Sequence, residues 1–164
     1  MRILLPILLV TTVMLAGEGQ QSHRLFHIDR SKDIDIVVYD AVTEGGRLAE
    51  DDPVDVYWIL KQEDNKRDDL NWIERWKGYG VDVEKRWGRD SLEFVMRADG
   101  TKVRVTKRDG KWIAIARIND DLARLESIYV KTDESGWFPE VLEVHMKGYR
   151  LSDGVRLVEV IRPD

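Results

Sequence analysis

LEFVMRADGTKVRVTKRDGKWIAIARI, residues 92–118, decides the fold. Leu92, Phe94, Met96 and Ala98 alternate with Glu93 and Arg97, and Val103 and Val105 alternate with Lys102, Arg104 and Thr106. This is the period-two pattern of a strand with one buried face. Asp99-Gly100 and Asp109-Gly110 separate the runs. Asp-Gly supplies the positive φ values that a tight hairpin turn demands, so the stretch predicts a three-stranded meander.

The same pattern extends in both directions. Residues 34–39 are rich in β-branched side chains. Val54, Val56, Trp58 and Leu60 alternate with Asp55, Tyr57 and Ile59, behind Pro53 at a strand start where proline is tolerated. Further strands are predicted over residues 125–131, 141–147 and 155–161, the last two joined through Ser152-Asp153-Gly154. Many short strands at this spacing predict an all-β antiparallel domain, a partly closed barrel or a sandwich. Residues 20–24 read as a polar arm. One segment breaks the pattern: Asn71 and Glu74 have capping-box spacing, Gly78 can end a helix, and Leu70, Ile73 and Trp76 share a helical face. One short α-helix is therefore expected over about residues 70–77. No repeat or interdomain linker divides the chain, so a single domain is expected over 20–164.

The N-terminus reads as an address. Arg2 precedes an apolar run, residues 3–16, too short to span a bilayer comfortably, and Ala16, Gly17 and Gly19 then provide small residues. Residues 1–19 are expected to be a secretory signal peptide cut before Gln20, or alternatively after Ala16. Leu15-Ala16-Gly17 resembles the start of a lipoprotein signal, but Glu18 stands where the lipidated cysteine would be. The expectation is an exported protein, periplasmic or extracellular, without a stable membrane anchor after cleavage.

Composition narrows the function classes. The chain has no cysteine, which excludes thiol catalysis, iron–sulfur clusters and cysteine-ligated zinc. About 145 residues remain after the leader, enough to bury a core without covalent staples. Net charge is −5 with both signs interspersed, which argues against a nucleic-acid partner. Lys102, Arg104, Lys107, Arg108 and Lys111 form one locally basic stretch, read as the solvated side of two strands.

Three stretches carry a family resemblance. They are residues 26–31 running on to Val37-Val38-Tyr39-Asp40, residues 52–59 beginning Asp52-Pro53, and Ile73-Glu74-Arg75 running on to Tyr79-Gly80. Their order and spacing are similar to the exported bacterial proteins grouped as domain of unknown function 4833. The C-terminal stretch from Gly148-Tyr149 to Ile161-Arg162-Pro163 fits the same pattern more weakly. The resemblance covers nearly the whole mature chain and implies no assigned activity. Asp33 and Asp35 stand where members tend to carry asparagine, and Gly78 where alanine is usual. Aspartate can make the same turn hydrogen bonds as asparagine, so the fold is unaffected.

Chemistry is sparse. His23, His27 and His145 lack zinc-site spacing, and Asp51-Asp52, Asp68-Asp69 and Asp120-Asp121 lack the calcium-loop pattern, so no metal or other cofactor is expected. None of the serines lies in a nucleophile elbow. Gly78-Tyr79-Gly80 does not open a phosphate-cradling helix. Six tryptophans stand out. Trp58, Trp87 and Trp112 hold inward positions and Trp76 the helix's apolar face, which assigns these four to the core. Trp72 on the helix flank and Trp137 in the 132–139 loop are the aromatic candidates for a binding surface. Arg30, Glu74 and Arg75 are the charged candidates. They serve either as an ion pair joining helix and first strand or as paired guanidiniums for an anionic group.

The leading expectation is a non-enzymatic binding or interaction protein of the bacterial envelope, taking a small apolar or sugar ligand. Its rivals are an envelope hydrolase acting on a glycan or lipid through a carboxylate pair, and a subunit that docks on another envelope protein by a strand edge.

Overall fold

The Asp109-Gly110 hairpin forms as the sequence dictates: Asp109 (φ 49°) and Gly110 (φ 76°) both sit in the left-handed region, and Arg108 pairs directly with Lys111. The Asp99-Gly100 turn is longer than two residues. Val95 is the last partner of Lys102, and Asp99 accepts the Thr101 amide at 2.9 Å and its hydroxyl at 2.8 Å.

A computed structural model describes residues 19–133, 135 and 140–163. Residues 1–18 of the expected leader and Trp137 lie outside the described residues. Twelve strands follow one another: β1 Gln21–Arg30, β2 Asp33–Glu44, β3 Arg47–Leu48, β4 Val54–Leu60, β5 Lys66–Asp69, β6 Val81–Trp87, β7 Ser91–Met96, β8 Lys102–Arg108, β9 Lys111–Ile118, β10 Asp121–Asp133, β11 Glu140–Arg150 and β12 Arg156–Ile161. All join one sheet, ordered β5-β4-β2-β1-β10-β9-β8-β7-β6, with β11 and β12 beside β10 and β3 on β2.

The long strand β10 organises this sheet. Along one edge its first residues pair with β9 (Asp121 to Arg124) and its later ones with β1 (Ser127 to Val130). Its other edge carries β11 along the whole length. A bulge between Leu125 and Ser127 marks the division. Two wings, β1-β2-β4-β5 and β9-β8-β7-β6, thus leave the same edge of one bent strand and curl toward each other as a half-barrel. Between them Phe26, Tyr39, Leu92, Phe94, Val103 and Val105 are each under 2% exposed, in one continuous core. Far from β10 the wings are tied by hydrogen bonds: the Leu48 amide donates to the Arg89 carbonyl (2.8 Å), and Arg89 Nε donates to the Leu48 carbonyl (2.7 Å).

Four expectations need correction. The sheet is not antiparallel throughout, because β1 and β10 run parallel. Side-chain alternation is the same for either direction, so the pattern held no sign of it. The polar arm over 20–24 is the start of β1, Gln21 opposite Thr43 and His23 opposite Ala41. The α-helix over 70–77 is a short helical turn, residues 72–78, wound over Glu74–Gly78 as a π-helix. The Tyr79 amide bonds to the Glu74 carbonyl (2.7 Å), five residues back, and Arg97 Nη1 takes the Arg75 carbonyl that an α-helix would have given Tyr79 (3.1 Å).

The fourth correction concerns the tryptophans. Trp112 is buried and Trp58 packs partly against the core, but Trp76 is 60% and Trp87 46% exposed. In β6, Val81 and Val83 pair opposite the core residues Met96 and Phe94. A bulge between Val83 and Lys85 then adds a residue, so Trp87 pairs with Ser91 on the outer face, where the Arg104 guanidinium sits 4.6 Å above its ring. One inserted residue flips every later side chain to the other face. Trp76 fails differently: Leu70 is buried but precedes the cap, and the wide π turn breaks the spacing that would have aligned it with Ile73 and Trp76.

Candidate functional site

The β1–β2 turn, the end of β4 and the helical turn meet around Trp58. The turn is built by aspartates: Asp33 Oδ1 accepts the Asp35 amide (3.0 Å), and Asp35 Oδ1 accepts the Lys61 amide at 2.6 Å, anchoring the short 3-10 turn after β4. These are turn bonds that asparagine could equally make. Asp33 also binds the Arg30 guanidinium. Burial works against its charge, but the Asp35 amide and Arg30 together hold the Asp33 carboxyl below the usual carboxylate range.

Arg30 in turn lies over the Trp58 ring, 5.2 Å from its centroid, and Trp58 meets the Tyr79 ring edge-on at 5.3 Å. Both geometries are favourable for aromatic quadrupoles. Burial pushes the Tyr79 phenol up, while Arg30, hydrogen-bonded to it, pulls the other way. Tyr79 is fixed from below by the Tyr39 hydroxyl, which donates to its carbonyl at 2.8 Å.

The helical turn supplies the opposite wall. Asn71 Oδ1 accepts the amides of Ile73 and Glu74 (both 3.0 Å), and Glu74 Oε2 accepts the Asn71 amide at 2.9 Å, a complete capping box. Glu74 is thereby committed to the cap. The result is an open cleft of about 350 Å³, in which Arg30, Trp58 and Glu74 are joined by Asp33, Asp35, Asp68, Asp69 and Asn71.

Of the residues singled out from sequence, Arg30 and Glu74 come together here. Arg75 does not. It lines a separate cleft with Asp52, Pro53 and Arg97, so the two guanidiniums do not share a ligand position. Trp72 is 72% exposed and projects from the turn beside Ile73 and Trp76, outside the cleft lining. Sequence reasoning missed Trp58, whose inward position in β4 concealed that it sits at the core's edge, Asp35 and Asn71, which read only as turn and cap residues, and Asp68, which read as half of an acidic pair without the calcium-loop pattern. Among the described residues no three His, Asp or Glu side chains gather as a metal site.

Arg30 comes from the first of the three family-like stretches, Trp58 from the second, and Glu74 and Tyr79 from the third. Residues 26–159, well over half the chain, match the family described as Domain of unknown function (DUF4833). The chain belongs to the DUF4833 family. No curated protein and no solved structure matches it. The matched span begins at Phe26 in β1 and ends at Glu159 in β12, so this DUF4833 domain includes both wings of the half-barrel.

Proposed function

We propose that this DUF4833 protein is an exported, non-enzymatic binding protein of the bacterial envelope that holds a sugar in the Trp58 cleft. The observation that carries this reading is the Trp58 ring in the cleft, with Arg30 over it and Tyr79 edge-on behind it, set among carboxylates and the Asn71 amide. An aromatic surface with polar groups on its rim suits a ring that has apolar C–H faces and hydroxyl edges. A purely apolar ligand fits less well, because the space between the wings is filled by side chains and the cleft wall is polar.

The hydrolase reading is weaker at this site. Asp33 is held low by Arg30, the reverse of what a general acid needs. Asp35 and Glu74 are bonded to backbone amides, and Asp69 to Arg67 at 3.1 Å, so of the lining carboxylates Asp68 alone is not engaged in this way, and a glycosidase needs two. Export is supported by the charged, apolar and small-residue segments of 1–19.

Native mass spectrometry of the protein recovered from a bacterial periplasm tests both parts. The expected polypeptide begins at Gln20 and carries a glycan-mass adduct that is lost on denaturation and absent from Trp58→Ala. A polypeptide retaining residues 1–19 in the cytoplasm would overturn export. A bare protein that also shows no tryptophan fluorescence change with soluble envelope glycan fragments would overturn the sugar reading.

A further inference from the structure

The locally basic stretch of the sequence does not stay on a plain solvated face. Arg108 and Lys111 face each other across the β8–β9 turn. Arg124 comes from β10, opposite Ile115 on one side and Tyr149 on the other. With Arg150, Ile113 and Tyr149 they line a surface cleft of about 530 Å³, in which Asp109 is the one carboxylate residue of the lining. This cleft shares no lining residue with the Trp58 cleft.

Most of the cations that line this cleft hold no carboxylate. Arg24, Arg47, Arg67 and Arg97 each hold an aspartate. In the basic cleft only Arg150 does so, bound to Asp121 at 2.9 Å and Asp153 at 3.0 Å. Arg108, Lys111 and Arg124 form no ion pair with any described residue. Arg108 reaches the Leu151 carbonyl at 3.4 Å, and the Arg124 guanidinium rests over the Tyr149 ring at 5.0 Å, which fixes it without consuming its charge. Three uncompensated cations thus converge on an apolar floor in a chain whose net charge is −5.

We propose that this cleft binds a phosphate-bearing anion, with Arg108, Lys111 and Arg124 as its ligands and Ile113 and Tyr149 as its floor. Guanidinium forks match the oxygens of phosphate in pairs, and a lysine adds a mobile point charge. A phosphate or diphosphate group offers several oxygens to the three side chains at once, where a single carboxylate offers two. Soluble phosphate compounds and phospholipid headgroups share this chemistry.

The test is an NMR titration of the mature protein with sodium pyrophosphate, run against sodium chloride at matched ionic strength. It is paired with sedimentation on phosphatidylglycerol and on phosphatidylcholine vesicles. Saturable shifts at Ile113 and Tyr149 are expected, weakening as salt is raised. The double variant Lys111→Gln, Arg124→Gln should lose affinity about tenfold or more while keeping a native spectrum. Lys102→Gln, whose lysine pairs with Glu84, should bind like the wild type. Arg124→Lys should fall between, because it keeps the charge and loses the fork. Vesicle binding that needs Lys111 and Arg124, without pyrophosphate shifts, assigns the site to a lipid headgroup; the converse assigns it to a soluble phosphate. Absence of saturable binding in both arms, or binding undiminished in the natively folded double variant, overturns the proposal.

Discussion

Tyr39 donates its phenolic hydrogen to the Tyr79 carbonyl at 2.8 Å, joining the centre of the core to the helical turn that walls the Trp58 cleft. Tyr39 is fully buried and stacks on Phe26, with ring centroids 4.4 Å apart and planes 10° from parallel. The ring therefore has one position, and the hydroxyl carries it to the turn. Tyr39→Phe keeps the packing and leaves that carbonyl without its donor, which should cost about 1–2 kcal/mol of stability. It should also loosen Tyr79 against Trp58. Urea unfolding measures the first effect and the environment of Trp58 the second. A variant as stable as the wild type would show that water replaces the hydroxyl and that the link is not structural.

The same burial makes stability sensitive to alkali. Burial pushes the Tyr39 phenol far above its ordinary value near 10, and Tyr57 and Tyr79 shift the same way, burial being the first cause in each. Above about pH 10 the unfolded chain releases protons that the folded chain retains. Stability is therefore full below that point and falls as pH rises toward the folded values. Urea midpoints from neutral to strongly alkaline pH should decline, and less steeply in Tyr39→Phe. Identical slopes would remove Tyr39 as a source of the alkaline lability.

Gly78 and Gly80 separate two roles that glycine plays in one turn. A Cβ on Gly80 would lie 1.8 Å from the Arg75 carbonyl oxygen, an impossible approach, whereas one on Gly78 meets nothing within 4 Å. Gly80→Ala must displace the carbonyl that Arg97 holds, so the turn should unravel and the tie between the Arg97 amide and the Gly80 carbonyl should weaken. Gly78→Ala should be neutral or stabilising, by up to about 1 kcal/mol, through a less flexible unfolded chain. Thermal melts of the two variants settle the pair. Equal destabilisation by both would mean that a Cβ is disfavoured throughout this turn, and that the close approach to the Arg75 carbonyl is not what sets Gly80 apart.

What the sequence disclosed and what it hid divide along the range of the interactions. Asp109-Gly110, the Asn71–Glu74 box and the Asp33 turn act within a few residues, so their chemistry is written locally and the structure reproduces it. The parallel pairing of His27 with Ser127 joins residues a hundred positions apart, and nothing local specifies its direction. Trp87 was lost to a single bulge that no alternation rule anticipates. The Trp58 cleft was half legible. Arg30 and Glu74 stood out because they lie in the family-like stretches, but Trp58 followed the inward pattern of β4 and passed for core. The basic cleft was visible as charge on one hairpin. Its convergence with Arg124 required the β9–β10–β11 register.

Asp33 offers a test of the cleft from the acid side. Its carboxyl is opposed by burial but held below the usual range by the Asp35 amide and the Arg30 guanidinium. A depressed folded value means that the stabilisation is present above about pH 4 and is lost as pH falls through the folded value. Asp33→Asn, the residue usual in the family resemblance, keeps an oxygen for the Asp35 amide and deprives Arg30 of its anionic partner. The variant should be less stable than the wild type at neutral pH, and the two should converge in acid, where the wild-type carboxyl is itself protonated. Because Arg30 lies over Trp58, the tryptophan emission should shift in the variant at neutral pH as it does in the wild type on acidification. Urea midpoints at neutral and strongly acid pH measure the gap. A gap of the same size at both would show that the Asp33 charge does not fasten Arg30 over the cleft, and that the turn alone holds the stack in place.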